Sequence, residues 1–587
     1  MLMTVGDFVV QRLRDWGVKQ VFAYPGDGIN GIVAAFGKAD NDPRFIQTRH
    51  EEMAAFAAVG FAKFSGDVGV CLATSGPGAI HLLNGLYDAK LDHVPVVAIV
   101  GQTARTAQGG SFQQEVDLHS LFRDVASFLI DVTVPEQLPN ALDRAMRTAQ
   151  AERAPAVVII PNDVQEQEYS APKHEFKYIP SSPPSRPSSS VVPALDDVRR
   201  AAEVLNSGEK VAILIGQGAR EAAEEVHAVA ELLGAGVAKA LLGKDVLADD
   251  LPYVTGSIGL LGTRPSYEMM RDCDRLLIIG SNFPYSQFLP QYGKARGVQI
   301  DVDGRSIGMR YPTEVNLVGD ARETLRALIP LLEHKTDRSW RAKIEADVER
   351  WWEVVERQAQ VPADPVNPMR IVSELSKRLP HNAIVTADSG SATNWYARLL
   401  KIRGNVRSSL SGTLATMGCA VPYALGAAFA QPDRPLIALV GDGAMQMNGM
   451  AELLTLRRYG IRCVVCVFHN NDLNQVTWEL RAMGGAPKFE ESQTLPDISY
   501  AAFARSIGLQ GIEVNDPAQL ATAWETALAF DGSTVLDVHC DPNVPPIPPH
   551  ATFEQIKDMT EAVLRGDPDA WDVLRRGLQT KIQELLP

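Results

Sequence analysis

Two apolar segments, each stopping at a cluster of oxygen-bearing side chains, constrain the fold of this chain more than any other feature. The first, Leu436 to Val440, ends at Gly441-Asp442-Gly443, and the second, Val464 to Phe468, ends at Asn470-Asn471-Asp472. A helix-like segment separates them, so the pattern predicts a β-α-β unit with both clusters at strand carboxyl ends. In an open parallel sheet, ligands bind at that edge.

The chemistry of the two clusters points to a bound metal and phosphate. A glycine turn leading into a helix presents backbone N–H groups to phosphate. One carboxylate and one carboxamide supply only two oxygen ligands, so their ion completes its shell with water and phosphate oxygens, as Mg²⁺ does. Either cluster alone is more typical of an ordinary turn or solvated loop. Together they predict a metal-bridged diphosphate site.

The stretch resembles the signature of thiamine diphosphate enzymes, in which an Asp and an Asn hold the metal ion. The resemblance implies thiamine diphosphate and Mg²⁺ as cofactors, with Asp442 as the first metal ligand. It also implies that Gly441, Gly443 and Ala444 contact the cofactor.

The second metal ligand depends on the register of the loop. His469 stands where the family usually has the first Asn of an Asn-Asn pair, and the segment after the glycine turn is one residue longer than usual. With a glutamate and a glycine of the intervening helix as anchors, Asn470 takes the ligand position and Asp472 supplies a backbone carbonyl. Asn471 is the alternative ligand.

Length and charge limit the class of protein. A chain of 587 residues is too long for one core, and 45% hydrophobic with 22% charged residues is typical of a soluble protein. A net charge of −15 argues against nucleic acid as a partner. The six cysteines are scattered, which favours a reducing cytoplasm, and the CxxC pair Cys463 and Cys466 is predicted to be core. We expect neither secretion nor a membrane-spanning segment.

Alternating strand and helix patterns predict an α/β fold class: three doubly wound parallel-sheet domains with a C-terminal helical tail. Proline-rich segments at Pro180–Pro193 and Pro362–Pro368 mark two boundaries. The expected units are a pyrimidine-binding domain (1–180), a central FAD-binding-type domain (194–335), a diphosphate- and Mg²⁺-binding domain (365–545) and the tail (546–587).

Arg49-His50-Glu51-Glu52 precedes a helix rich in Ala and Gly, which must pack closely against a flat surface. Adjacent acids at a helix start are usually caps or dipole complements. The resemblance implies that Glu51 instead hydrogen-bonds N1′ of the cofactor's aminopyrimidine and shares one proton with that ring.

Three further parts of the thiamine site follow from the resemblance. Met417 would support the bent cofactor, and the carbonyl of Ala415 would meet its 4′-amino group. Phe112 and Gln113 would face the substrate. Glu479 aligns with a glutamate typical of pyruvate oxidases, where acetolactate synthases usually carry Trp, and so favours oxidation over carboligation.

The central segment resembles the FAD domain of quinone-dependent pyruvate oxidases, although many relatives keep this domain without a flavin. A G-x-G turn could take pyrophosphate, and a strand ending in an acid could accept from a ribose hydroxyl. Leu260 replaces an arginine of the phosphate-forming pyruvate oxidases. The candidate FAD-binding residues are Gly216, Gly218, Arg220, Asn282, Phe283, Asp301 and Asp303.

The tail ends in an amphipathic helix on which Trp571, Leu574, Leu578, Ile582 and Leu585 recur every three or four residues. Packing on its own subunit is the favoured interpretation. Quinone-dependent relatives use such a helix to meet the membrane and its quinone, which is the alternative.

The resemblance covers residues 4 to 586 and implies a pyruvate oxidase-type enzyme. Pyruvate or a similar 2-oxo acid would be oxidatively decarboxylated to acetate and CO₂, with electrons passing through FAD to quinone or another acceptor. Acetolactate synthase-type carboligation, phosphate-dependent oxidation and a catalytically silent scaffold are the alternatives. We expect a homo-oligomer: at least a dimer, and a tetramer if it follows the family. We expect it in the cytoplasm, and the alternative is a peripheral contact with the inner face of the membrane.

Overall fold

The computed structural model describes residues 3–169, 190–546 and 553–585. These residues contain three six-stranded sheets in chain order, and every strand pair in them is parallel. The α/β fold class is therefore confirmed. Most of the predicted Pro180–Pro193 linker lies outside the described residues, as do residues 547–552 of the tail.

The strands of the N-terminal sheet are β1 (Gln20–Ala23), β2 (Arg44–Gln47), β3 (Gly69–Ala73), β4 (Val96–Gln102), β5 (Phe128–Asp131) and β6 (Pro155–Pro161). Their order in the sheet is β2-β1-β3-β4-β6-β5. Alternate residues of β3 enter two different hydrophobic clusters, because helices cover both faces of the sheet. Its helices are α1 (Val5–Asp15), α2 (Asn30–Lys38), α3 (Glu51–Ser65), α4 (Pro77–His81), α5 (Leu83–Leu91), α6 (Leu118–Phe122), α7 (Leu138–Glu152) and α8 (Asn162–Gln165).

The strands of the central sheet are β7 (Val211–Ile215), β8 (Gly236–Lys239), β9 (Val254–Ser257), β10 (Arg275–Ile279), β11 (Arg296–Asp301) and β12 (Val315–Val318). Their order is β12-β11-β10-β7-β8-β9, so the ends of β7, β10 and β11 lie side by side. Its helices are α9 (Leu195–Asn206), α10 (Ala223–Leu233), α11 (Arg264–Asp272), α12 (Ala321–Leu328) and the long α13 (Ser339–Ala359), which leads to the third sheet.

The strands of the third sheet are β13 (Ile384–Ala387), β14 (Arg407–Ser409), β15 (Leu436–Gly441), β16 (Cys463–His469), β17 (Gln510–Val514) and β18 (Thr534–His539). Their order is β14-β13-β15-β16-β18-β17, with β15 and β16 at the centre of the sheet. Its helices are α14 (Pro368–Arg378), α15 (Ser391–Leu399), α16 (Ala420–Ala430), α17 (Asp442–Ala444), α18 (Met450–Tyr459), α19 (Asn474–Gly484), α20 (Glu490–Gln493), α21 (Tyr500–Ser506) and α22 (Leu520–Ala529). The tail forms α23 (Phe553–Leu564) and α24 (Ala570–Leu585).

The Ala-rich helix α3 packs against α16, which joins the first and third sheets in one chain. A Cβ on Gly60 would lie 2.6 Å from the Cα of Tyr423, and a Cβ on Gly426 would lie 2.1 Å from the carbonyl oxygen of Ala57. The predicted close packing is therefore against another helix, and the missing side chains let the two backbones approach.

All six cysteines are buried and free, which confirms that Cys463 and Cys466 belong to the core. Within the described ranges, none of the helices combines the length and the apolar character needed to cross a bilayer.

Candidate active site

The carboxylate of Asp442 joins the two strand ends from which the site was predicted. Asp442 follows β15, is 2% exposed, and accepts a 2.8 Å hydrogen bond from the N–H of Gly443 through Oδ1. Its Oδ2 accepts from the N–H groups of Asn470 at 2.7 Å and Asn471 at 2.6 Å, beyond the end of β16. Burial raises the pKa of Asp442 to about 6, although these hydrogen bonds oppose the rise.

The loop after β16 is a compact turn. The side-chain oxygen of Asn470 accepts from the N–H of Asp472 at 3.1 Å, and Asn471 has a left-handed backbone with φ of 55°. The buried carboxylate of Asp472 accepts from the hydroxyl of Thr477 at 2.9 Å and lies 3.1 Å from Nζ of Lys488. Because the Asp472 side chain is bound within the protein, only its backbone carbonyl is left to bind a metal ion, as the resemblance predicts.

The segment after the glycine turn contains a π-helix, Met445–Gly449, between α17 and α18. A π-turn holds one more residue than an α-turn, so it can absorb the extra residue that the resemblance predicts here without shifting the flanking helix. Asn448, in this turn, donates to a carboxylate oxygen of Glu52 at 3.3 Å.

The turn that carries Met417 is held by Asp388, a residue to which the sequence analysis gave no role. Asp388 follows β13, is 1% exposed, and accepts from the N–H groups of Gly418 at 2.8 Å and Ala420 at 3.1 Å. Burial raises the pKa of Asp388 to about 6. The signal was present, because Asp388-Ser389-Gly390 ends a strand as the Asp442 turn does.

Met417 lies close to the glycine turn that contains Gly443. A Cβ on Gly443 would lie 3.3 Å from Cε of Met417 and 2.7 Å from Cδ2 of Leu473, so a larger residue there would require these side-chain ends to move. A Cβ on Gly441 would meet nothing within 4 Å, which leaves open space beside the strand end. Ala415 has φ of 55°, a strained conformation for a non-glycine residue and one that clusters at functional sites.

Glu51 is the first residue of α3 and is 7% exposed. Its Oε2 lies 2.9 Å from Nδ1 of His81, and the ring of His81 packs at a tilt against that of His50, with 4.2 Å between ring centres. His50 caps the helix by accepting from the N–H of Glu52 at 3.2 Å. His81 is a neighbour that the sequence analysis missed, since it lies on a different helix.

A polar bridge links the start of α3 to the Met417 turn. Asn84 contacts the carboxylate of Glu52 and donates to the hydroxyl of Thr416 at 3.0 Å. The backbone N–H of Arg49 donates to the buried carboxylate of Glu452 at 2.6 Å. Residues next to Glu51 therefore contact α18 and the residue before Met417 within one chain.

The described residues contain two groups whose ligand atoms are close enough to share a metal ion. They are His50, Glu51 and His81, and His469, Asp537 and His539. Neither group includes Asp442, and in both the observed contacts are hydrogen bonds and tilted ring contacts.

Phe112, Gln113 and Glu479 lie at the surface of the single chain. Phe112 is 58% exposed in a loop whose backbone is clamped by Glu115, which accepts from the N–H of Phe112 at 2.9 Å. Glu479, on α19, accepts from the amide of Gln475 at 2.9 Å.

The candidate FAD residues surround the adjacent ends of β7, β10 and β11. Gly216, Gly218 and Gly280 pack together: a Cβ on Gly218 would lie 2.7 Å from the Cα of Gly280, so backbone packing already requires glycine. Arg220 is paired with buried Asp245 at 2.8 Å and donates to the carbonyl of Leu242, so its guanidinium is used inside the protein.

Asp301 is the partly buried acid at the end of β11, and burial raises its pKa. It accepts from the N–H of Asp303 at 2.9 Å, while the side chain of Asp303 pairs with Arg305 at 2.9 Å. At the end of β10, Asn282 accepts from Arg310 at 3.0 Å, and Phe283 is 7% exposed.

The terminal helix α24 packs on its own chain, but through a face that the periodicity did not indicate. The stripe of Trp571, Leu574, Leu578 and Ile582 is exposed by 85%, 47%, 64% and 42% respectively. The helix is held instead by buried Val573 and by Arg576, whose guanidinium lies 2.8 Å from the carboxylate of Asp541. The side chain of Leu585 is outside the described residues.

Three domain models of one family match the chain in order. They are described as the thiamine pyrophosphate enzyme N-terminal TPP binding domain (residues 3–121), central domain (198–328) and C-terminal TPP binding domain (388–538).

Similar proteins match over nearly the whole length. The putative thiamine pyrophosphate-containing protein YdaP of Bacillus subtilis is 36% identical over 96% of both chains. The pyruvate oxidase of Lactiplantibacillus plantarum is 30% identical over 89% of this chain and 86% of its own. The probable acetolactate synthase large subunit of Methanocaldococcus jannaschii is 31% identical over 94% and 95%, respectively.

Proposed function

Since the chain belongs to the thiamine pyrophosphate enzyme family that includes pyruvate oxidase and acetolactate synthase, we propose that it oxidatively decarboxylates pyruvate or a similar 2-oxo acid. The products would be acetate and CO₂, with electrons passing to FAD and then to quinone or another acceptor. The similarity to a pyruvate oxidase and the glutamate at position 479 support this choice.

The observation that carries the proposal is the link between Asp442 and both residues after β16. A buried carboxylate beside amide oxygens is a hard donor set of the kind Mg²⁺ prefers. Asn470 is the better second ligand, because its oxygen accepts only from a backbone N–H, whereas the oxygen of Asn471 faces Nε2 of His469 at 2.8 Å. Gly441, Gly443 and Ala444 would hold the diphosphate, and Asp442 and Asn470 would hold the Mg²⁺.

The remaining residues of the site would act on protons and position. Thiamine diphosphate, when bound, supplies an electron sink for the carbanion left as a 2-oxo acid loses CO₂. Glu51, buried beside His81, would hold a proton at its carboxyl group and share it with the pyrimidine ring. Asp388 fixes the turn from which Met417 and the Ala415 carbonyl would contact the cofactor.

A second copy of the chain would complete the site. Phe112, Gln113 and Glu479 are exposed in one chain, although the family role assigned to each requires contact with substrate. We therefore propose that residues 1–180 of one subunit face residues 365–545 of another, in a dimer or a tetramer of such dimers. Light scattering on the purified protein tests the oligomer, and a monomer would contradict it.

FAD would bind along the adjoining ends of β7, β10 and β11 in the central unit, residues 194–335. Gly216 and Gly218 follow β7, and Gly280 follows β10, while the partly buried Asp301 ends β11. Glycines and an acid at adjacent strand ends are typical of a dinucleotide-binding site. Phe283 and Asn282 at the end of β10 would border it. Arg220 is the exception, because Asp245 already holds it.

A peripheral membrane contact would follow from the exposed stripe on α24. Four apolar side chains on one face of a terminal helix fit insertion into a lipid interface, where quinone resides. With the membrane contact, the protein would work in the cytoplasm at the inner face of the membrane.

Anaerobic mixing separates the candidate reactions. Purified protein is combined with pyruvate, thiamine diphosphate, Mg²⁺ and a quinone analogue, while flavin absorbance, acetate and CO₂ are followed. Flavin bleaching with acetate supports the oxidase. Acetolactate without bleaching supports the synthase, the second candidate, which the similarity to an acetolactate synthase favours.

Two controls complete that experiment. Glu51→Gln should abolish CO₂ release while Mg²⁺-dependent cofactor binding persists, because only the proton-sharing carboxyl is lost. Absence of CO₂ release by the unaltered protein from every 2-oxo acid tried would contradict both enzyme candidates and leave the scaffold alternative.

A further inference from the structure

His469, the last residue of β16, lies fully inside the protein between two hydrogen-bond partners. The residue is 1% exposed. Its Nδ1 lies 2.8 Å from Oδ1 of Asp537, and its Nε2 lies 2.8 Å from the side-chain oxygen of Asn471. The ring lies next to the loop that holds the proposed metal ligand Asn470, and no role in the chemistry has been assigned to it. Its burial therefore points to a role in positioning that loop.

The orientation of the His469 ring is fixed from several sides. Asp537, on the neighbouring strand β18, is 0% exposed and is itself anchored by accepting from the N–H of Ala501 at 3.1 Å. The ring packs against His539 at 4.1 Å and meets the ring of Tyr500 edge-on at 5.0 Å. Nε2 also lies 3.1 Å from the exposed carboxylate of Asp497.

The partner of His469 is the residue whose backbone is unusual. Asn471 has φ of 55°, a left-handed conformation that costs free energy for a residue with a Cβ. In this conformation its N–H points at Oδ2 of Asp442, at 2.6 Å. A hydrogen bond to the Asn471 side chain therefore stabilises the backbone geometry on which the Asp442 contact depends.

We propose that His469 is a positioning residue of the metal site, acting through Asn471 to hold the loop and the Asp442 carboxylate in register. Asp537 orients His469, His469 holds Asn471, and the N–H of Asn471 fixes one carboxylate oxygen of Asp442. The four residues form a continuous hydrogen-bonded path from β18 to the start of α17. This inference rests on the metal site of the proposed function.

A double-mutant cycle tests the path, with Mg²⁺ as the probe. Mg²⁺ is titrated into protein at a fixed thiamine diphosphate concentration, and cofactor binding is followed by calorimetry. Partners that orient metal ligands typically contribute about 10- to 100-fold in metal affinity, so His469→Ala should raise the half-saturating Mg²⁺ concentration by that factor.

The second arm uses Asn471→Gly, which adopts a positive φ freely and has no side chain for His469 to hold. In that background His469→Ala should change Mg²⁺ affinity by less than about twofold, the usual error of additivity. An equal loss in both backgrounds would overturn the proposal, because His469 would then act on general stability.

Folding is controlled with His469→Phe, which keeps a ring in the same space but has no nitrogen to hold Asn471, and with circular dichroism of each metal-free variant. If the alanine variant does not fold, the same cycle is run with the phenylalanine variant, and the same two results decide. Unaltered protein that binds no thiamine diphosphate with Mg²⁺ would overturn both this inference and the proposed function. Normal binding with equal losses in both backgrounds would overturn this inference alone.

Discussion

Asp567, in the turn between α23 and α24, accepts two hydrogen bonds of 2.8 Å from the guanidinium of Arg481 on α19. Arg481 is 2% exposed and lies two positions after Glu479. Asp567 also accepts from the backbone N–H of Lys488, whose Nζ lies 3.1 Å from the carboxylate of Asp472. The tail is thus tied to the helix and the loop that border the candidate site.

Removing the Asp567 charge should release the tail. Asp567→Ala leaves a buried guanidinium with fewer partners, and breaking one partner of a buried ion pair costs about 3 kcal/mol. Urea denaturation should show that loss of unfolding free energy, and a protease should cleave the tail faster. Asp572→Ala, at an exposed position of α24, is the matched control and should change the unfolding free energy by less than about 0.5 kcal/mol. Equal effects of the two substitutions would contradict the anchoring role.

Mg²⁺ binding should weaken in mild acid because Asp442 must lose its proton. Burial raises its pKa from the ordinary 3.8 to about 6 in the metal-free protein. Between pH 3.8 and about 6, Asp442 holds a proton in the folded chain but has lost it in the unfolded chain. The contribution of Asp442 to the free energy of unfolding therefore falls as pH rises through this range. Below about pH 6, Mg²⁺ competes with one proton and its affinity should fall up to about tenfold per pH unit.

Calorimetric Mg²⁺ titration between pH 5 and 8, at fixed thiamine diphosphate, measures this dependence, and Asp442→Asn is the control that should bind Mg²⁺ poorly at every pH. Constant Mg²⁺ affinity across that range would show that Mg²⁺ binding does not displace a proton from the Asp442 carboxyl group.

The contact between α3 and α16 should be intolerant of a single methyl group. A Cβ on Gly60 would lie 2.6 Å from the Cα of Tyr423, and backbone cannot move aside as a flexible side chain can. Gly60→Ala should therefore lower the unfolding free energy by about 1 to 3 kcal/mol, the usual cost of overpacking.

Gly37→Ala is the matched control for this contact. Gly37 also lies in a helix, but a Cβ there would meet nothing within 4 Å, so alanine should stabilise by up to about 1 kcal/mol through helix propensity. Thermal denaturation should move the two variants in opposite directions. A stabilising effect of both would mean that the two helices can separate at little cost.

The sheets and the Asp442 turn could be predicted from sequence because their signals are local. A run of apolar residues followed by Gly-Asp-Gly predicts both a strand and where it ends, and parallel strands bring such ends together. The clamp by Asp388 was missed although it has the same local signal, since its partners, Gly418 and Ala420, are reached only through the fold.

Contacts between distant segments could not be read in the same way. His81 and Asn84 approach α3 from other helices, and nothing in their local sequence selects those partners. On α24 the periodicity identified an apolar stripe but not which face packs. The packed face is set by Arg576, whose burial depends on meeting Asp541 far away in the chain.

The exposed apolar stripe of α24 should bind lipid membranes. Leu574→Ser with Leu578→Ser removes two apolar side chains that lie 47% and 64% exposed, so folding should be little affected. Burying each such side chain in lipid contributes about 1.5 kcal/mol or more, so the double variant should bind liposomes at least tenfold more weakly. Co-sedimentation with liposomes of mixed neutral and anionic lipid measures the affinity.

The control for the stripe is Lys581→Ser with Arg575→Ser, which alters exposed charges on the same helix and leaves the apolar side chains in place. If insertion of the stripe drives binding, the charge variant should retain most of its affinity for liposomes made of neutral lipid alone, where electrostatic attraction is absent. Unchanged sedimentation of the leucine variant would show that the stripe does not contact membrane, and light scattering of both variants would then test whether it instead joins subunits.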